Sequence, residues 1–301
     1  MNKGLMKSKQ FALTLLIVTV LLFFASRQMN AQESDYVGSE KCRECHADMT
    51  NGFSKNIHAK ADRRGLGDSG CETCHGPGRV HAESGDRAAI MNPAGMEAGA
   101  SAKNCLECHS SNKTLMLWSG SAHAGNNIAC TNCHQVHANR VKLLARAQEK
   151  EACFTCHYNV RASILQRSKH PLRDSSAPLE EGKMTCSSCH NPHGAKSEKL
   201  IDARSINDKC YECHTEKKAP VLWEHSPVKE DCLVCHTPHG SSNDKLLVTK
   251  VPRLCQECHM QGRHQSGPFS TGSIFVQNRS CLNCHPMVHG SNHPSGPVLQ
   301  R

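Results

Sequence analysis

The chain has 301 residues, among them 20 cysteines and 21 histidines, with only 4% aromatics and a formal net charge of +9. Hydrophobic residues make 38% of it, but that share counts every cysteine and a very apolar start. The remainder is thin for a chain that, as an ordinary domain, would bury roughly 75% of its unfolded surface. A charge this mild, without a basic stripe interleaved with aromatics, argues against a nucleic-acid partner.

Residues 1–31 read as a secretory signal peptide. Lys3, Lys7 and Lys9 open it, an apolar run from Phe11 to Phe24 follows, and small and polar residues lead to Ala31. A run of 14 is short for a membrane span of about 20 residues. The leader holds four basic residues and no acids, so the expected mature chain, 32–301, balances 32 basic against 27 acidic residues. An exported chain with an even number of cysteines suggests disulfides by default. Here the spacing overturns that default.

Every cysteine belongs to a Cys-x-x-Cys-His string. In chain order the ten copies are Cys42-Cys45-His46, Cys71-Cys74-His75, Cys105-Cys108-His109, Cys130-Cys133-His134, Cys153-Cys156-His157, Cys186-Cys189-His190, Cys210-Cys213-His214, Cys232-Cys235-His236, Cys255-Cys258-His259 and Cys281-Cys284-His285. Chance would give about 0.1 copies in a chain of this length. The string is the attachment site of c-type haem. Two thiols add to the two vinyl groups of one porphyrin edge, and the adjacent imidazole supplies an axial nitrogen. A zinc ribbon has no need of a histidine after each cysteine pair, and a thioredoxin-like site needs one copy rather than ten. Ten covalent haems over about 270 residues also account for the thin core, because the porphyrins are the apolar interior. The expected fold is a multihaem cytochrome c: short α-helices at the motifs, long irregular connections, almost no β-structure, an elongated wrapper around haems.

Eleven histidines remain, and ten irons need ten sixth ligands. They recur in register, two motifs and two extra histidines per repeat, five times. The first repeat adds His58 and His81, the second His123 and His137, the third His170 and His193, the fourth His225 and His239, and the fifth His264 and His289. The repeats span approximately 36–100, 101–148, 149–204, 205–250 and 251–301. His289 is preferred over His293 because the His-Gly step recurs at His193 and His239. Phe53, Trp118 and Leu165 each precede an extra histidine by five residues and are expected against a porphyrin face. No methionine recurs in register, so Met ligation is not the expectation. Same-repeat and neighbouring-repeat pairings both fit the spacing.

Two imidazoles per iron close both axial positions. Such a site exchanges electrons and binds no substrate, so the chain reads as an electron-transfer protein rather than an enzyme. It has no Cys-x-x-Cys-Lys variant that would mark an open haem.

The segments YVGSEKCRECH at 36–46, FSKNIH at 53–58, CETCHGPGRVH at 71–81 and CLNCHPMVHGSNHPSG at 281–296 resemble the decahaem cytochromes of the MtrA/DmsE type, and with the motif order between them the resemblance covers the mature chain. It implies bis-His haems in a stacked row and a periplasmic location at the outer membrane. It implies an outer-membrane β-barrel porin as partner, with an extracellular multihaem cytochrome or reductase on one side and a periplasmic or inner-membrane cytochrome donor on the other. A barrel would supply the closed lipid-facing surface that an irregular chain lacks. The alternative is a soluble periplasmic carrier or reservoir feeding terminal reductases such as a dimethyl sulfoxide reductase. A multihaem nitrite or hydroxylamine converter would need an open iron, against 21 histidines for 20 axial positions.

Overall fold

The computed structural model describes residues 35–55, 57–60, 70–138, 143–146, 148–172, 184–218, 220–260 and 280–300. The expected leader over 1–31 and the expected ligand His264 lie outside the described residues. The chain divides into two compact units, Met1–Cys108 with Ala129–Ala145, and His109–Ile128 with Arg146–Arg301.

Regular structure is short, as the motif spacing predicts. Among the described residues the longest helix, Ala98–His109, has 12 residues, and a typical other one, such as Glu149–Phe154 or Ile206–Tyr211, has 6. Extended pairing among the described residues is limited to isolated bridges such as His190 with Ile201 and His236 with Leu247. The helices stop early because each motif is a self-contained turn. The motif histidine's N–H donates to the carbonyl of the first cysteine four residues back, at 3.0 Å in His46→Cys42, 2.8 Å in His134→Cys130 and 2.9 Å in His285→Cys281. Residues i, i+3 and i+4 of a helical turn share a face. One turn therefore presents two thiols and an imidazole together.

The polypeptide contributes little core of its own. Its buried apolar side chains among the described residues are Ala98, Ala102, Trp118, Ala129, Phe154 and Leu299. Ile57, Met116, Tyr158, Leu165, Leu222 and Met260, which a self-sufficient core would cover, are at least 70% exposed. Among the described residues no helix is long and apolar enough to cross a membrane.

Within the second unit, three clasps hold segments distant in sequence. Ser168 and Ser241 exchange backbone hydrogen bonds at 3.0 and 2.8 Å, and Trp223 and Ser291 exchange a pair at 3.0 Å. Asn191 Nδ2 donates to the Thr114 carbonyl at 3.2 Å. Each clasp brings a His-Gly step against the segment leading to an earlier extra histidine. At Gly240 the approach leaves no room for a side chain, since a Cβ would collide with the Ser163 carbonyl. Gly290 combines a φ of +114° with a Cβ position 2.6 Å from Val221 Cγ2.

Gly240→Ala is expected to lower stability by at least about 1–3 kcal/mol through overpacking against main chain that cannot move aside. Gly290→Ala should act in the same direction through backbone strain as well. Denaturant unfolding followed by circular dichroism in the Soret region measures both; wild-type midpoints would show that the clasps yield.

Candidate haem-ligation site

The ten motifs associate in pairs through their first cysteines. Cys42 hydrogen-bonds Cys71, Cys105 hydrogen-bonds Cys130, Cys153 hydrogen-bonds Cys186, Cys210 hydrogen-bonds Cys232 and Cys255 hydrogen-bonds Cys281. Each pair shares one desolvated slot, and the thiols show it. Burial, with the neighbouring thiol, pushes Cys42, Cys210 and Cys255 up to about 11. Cys105 rises and Cys130 falls to about 7, because the Cys105–Cys130 hydrogen bond is the largest influence on both. Successive pairs adjoin through the opposite edge of the motif. Cys74 feels Cys105, Cys189 feels Cys210 and Cys213, and Cys235 feels Cys255 and Cys258. Within each compact unit the motifs are thus neighbours in chain order.

A polar residue three or four positions before the first motif of a pair grips the start of the second. Asn207 Oδ1 accepts from Cys232 N at 2.8 Å while its Nδ2 donates to the carbonyls of Val228 and Lys229. Ser39 Oγ accepts from Cys71 N at 3.3 Å, and the Glu149 carboxylate accepts from Ser187 N at 2.7 Å. Glu72, inside the second motif and 3% exposed, accepts from the N–H groups of Val37, Gly38 and Gly78. Composition carries no trace of these contacts. Their signal, a short polar side chain just ahead of a motif, is too common to read.

The imidazoles meet in pairs, one from a motif and one extra. Their ring centroids lie 6.2 Å apart in His46–His81, 6.0 Å in His75–His137, 6.1 Å in His157–His123 and 6.4 Å in His214–His170. The separations are 6.0 Å in His190–His239, 6.3 Å in His259–His225 and 6.2 Å in His236–His289. Interplanar angles run from 12° to 72° while the separation stays almost constant. Ring stacking would tie the angle to the distance. Two nitrogens on opposite sides of one metal would not. Two metal–nitrogen bonds of about 2.0 Å plus about 1.1 Å from each nitrogen to its ring centre give about 6.2 Å. The residues present therefore fit an iron between each facing pair.

Six of the seven pairs link different repeats. The first extra histidine of a repeat faces the first motif of the next repeat: His123 with His157, His170 with His214, His225 with His259. The second extra histidine faces the second motif of the previous repeat: His137 with His75, His239 with His190, His289 with His236. His81 closes the chain start by facing His46 in its own repeat. Burial lowers the pKa of His137, His239 and His289, which favours the neutral imidazole that a metal requires. His293 turns its Nδ1 to the Ser295 N–H at 3.1 Å, whereas His289 is the one that faces a motif.

The three apolar residues placed five before an extra histidine divide. Phe53 meets the His137 ring edge-on at 6.1 Å, and Trp118 lies 6.3 Å from the His193 ring, so both touch an extra imidazole from another repeat. Leu165 is 75% exposed.

One ring nitrogen of many of these histidines is held by main chain. Nδ1 lies 2.7 Å from the Met91 carbonyl in His75, 2.9 Å from Asp86 in His81, 2.7 Å from Pro192 in His123 and 2.7 Å from Pro238 in His170. It lies 2.8 Å from Lys199 in His190, 3.0 Å from Val288 in His225, 2.8 Å from Lys245 in His236 and 2.6 Å from Val298 in His285. Such a bond fixes the tautomer and leaves Nε2 for a metal.

Three family descriptions match parts of the chain: a doubled CXXCH motif at 177–219 and 225–264, a cytochrome c-type protein NrfB-like at 71–156, and cytochrome c554 and c-prime at 23–76. The chain is 42% identical over 279 residues to the multiheme cytochrome MtrA of Shewanella baltica, covering 88% of this chain and 81% of that one. It is 26% identical over 141 residues to the high-molecular-weight cytochrome c of Nitratidesulfovibrio vulgaris, covering 40% of this chain and 26% of the other.

Asn207→Ala should destabilise the protein by about 1–3 kcal/mol, because it removes a buried side chain that pairs with the half-buried Cys232 N–H and two carbonyls. Thermal unfolding of the haem-loaded protein tests this, and an unchanged midpoint would show that the two motifs do not depend on Asn207.

Proposed function

The chain belongs to the family of MtrA-type multihaem cytochromes, and we propose that it carries electrons across the outer membrane, inside a porin, along a row of bis-His c-type haems between periplasmic and extracellular redox partners. Family membership establishes the coarser statement: this is a multihaem electron-transfer protein with covalently bound haem c, not an enzyme. Bound haem supplies reversible one-electron chemistry. The chain's residues supply attachment, ligation and order.

In this reading the twenty motif cysteines form the thioethers and the ten motif histidines are the proximal ligands. His81, His137, His123, His239, His170, His289 and His225 are the distal ligands of the irons held by His46, His75, His157, His190, His214, His236 and His259. His58, His193 and His264 serve the three remaining haems, those of His109, His134 and His285. The observation that carries the reading is the near-constant 6.0–6.4 Å separation of facing imidazoles. Saturated axial positions leave no coordination site for a substrate, so the protein passes electrons on without transforming anything. Adjacency of motifs in chain order within each compact unit supplies the row.

The same economy of structure supports a porin partner. Residues 35–55 and 70–138 form short turns with little apolar core, and lipid tolerates irregular backbone only where protein covers it. A closed barrel meets that need. The expected leader and haem attachment support periplasmic export.

The distal assignment predicts an effect at a distance. His170→Ala should convert one haem of ten to high spin, and that haem should be the one on Cys210 and Cys213, not the nearer ones on Cys153 and Cys186. Electron paramagnetic resonance counts the high-spin iron, and combining His170→Ala with His214→Ala locates it: the double variant should disturb no second haem. Two disturbed haems would refute the pairing. For the wider role, mild detergent extraction of outer membranes should yield the cytochrome with a stoichiometric β-barrel. The pair in sealed liposomes should then reduce an external acceptor from an internal donor. Recovery only as a free periplasmic protein would favour a soluble carrier.

A further inference from the structure

In all seven facing pairs, one imidazole is held through Nδ1 by a backbone carbonyl and the other is not. The held rings are His81, His75, His123, His170, His190, His225 and His236. Among the described residues their partners His46, His137, His157, His239, His259 and His289 make no such bond, and His214 Nδ1 lies 3.8 Å from the Glu216 carboxylate, beyond hydrogen-bond reach. The anchor alternates along the chain. At the four first motifs in facing pairs (His46, His157, His214 and His259) the extra histidine is held; at the three second motifs (His75, His190 and His236) the motif histidine is.

At two of the second motifs the carbonyl is delivered by an unusual turn. His190 uses Lys199 and His236 uses Lys245, each nine residues on. Lys199 and Leu200 have φ of +54° and +56°, and Lys245 and Leu246 both have +57°. Two successive residues with side chains in the left-handed region are uncommon. Such strain persists only where the surroundings impose it. Here Asn191 N and Thr237 N donate to the carbonyls of Leu200 and Leu246 at 2.8 Å, and Ser168 Oγ accepts from Leu246 N at 2.9 Å. With Lys-Leu wound left-handed, the lysine carbonyl points at the imidazole and the leucine carbonyl at the residue after it.

We infer that the left-handed Lys-Leu turns at 199–200 and 245–246 are positioning devices for His190 and His236, fixing each ring and making it a stronger electron donor to its iron. The inference rests on the bis-His reading above. A carbonyl accepting the Nδ1 proton raises the basicity of Nε2 and favours oxidised iron. It does so without a titrating side chain. One held ring per iron would give every haem in the row the same increment, whichever ligand supplies it.

The test uses the intact ten-haem protein. Lys245→Pro cannot adopt a φ of +57° and should break the turn. One haem of ten should then titrate at higher potential in an EPR-monitored redox titration, with the other nine unchanged. Lys245→Gly, which keeps the left-handed turn, should overlay wild type. A Pro variant that loads ten haems yet titrates like wild type overturns the inference, as does a Gly variant that shifts equally. If the Pro variant fails to load, Ser168→Ala loosens the same turn and should raise the same haem by a smaller step; no shift there is equally decisive against it. Failure of the underlying ligation reading looks different, since wild type itself would then show high-spin iron.

Discussion

An imidazole can hold a metal from one side only, and the rest of this structure follows from that constraint. A Cys-x-x-Cys-His turn fixes a porphyrin edge and one axial nitrogen within five residues. The opposite nitrogen cannot come from the same turn and must be carried in by another stretch of chain. Six of the seven facing pairs bring it from a neighbouring repeat. Short turns with almost no core of their own thereby become mutually dependent. The clasp at Ser168 and Ser241 and the close approach at Gly240 exist to deliver these rings.

Much of this was legible in the sequence because haem attachment is covalent and local. Thiol spacing along one turn is dictated by the vinyl groups, so ten strings point to ten expected sites and ten expected proximal ligands without any knowledge of tertiary structure. The register of the extra histidines marked them as a second set. The His-Gly step that favours His289 over His293 has a structural reason at its glycine: a Cβ at Gly290 would meet Val221 Cγ2 at 2.6 Å. Shortness of helices followed from the same locality.

What could not be read is whatever depends on which segment arrives beside which. Spacing alone allowed His170 to serve its own repeat, yet it faces His214, 44 residues on. Which imidazole Phe53 and Trp118 would lie beside was equally illegible, since both meet extra histidines of other repeats. The Lys-Leu turns have no sequence signature, because a lysine and a leucine side by side carry no propensity for left-handed backbone; the surrounding hydrogen bonds impose it. Asn207 and Glu72 look like ordinary polar surface until their partners are seen. Chemistry confined to one turn is written in composition and order, whereas chemistry assembled across turns is written in contacts.

The exchange of histidines between neighbours also bears on how such a chain could change length. The fourth repeat sends one ring forward and one back, and receives one from each side. Adding or removing a whole repeat from the middle would leave that exchange in balance, while adding half of one would strand an iron. Only the ends need a different solution, and the first end has one: His81 folds back onto His46 within its own repeat. A lineage of these proteins could therefore lengthen or shorten in steps of two haems, keeping its termini and varying its middle, with even numbers of motifs as the natural outcome.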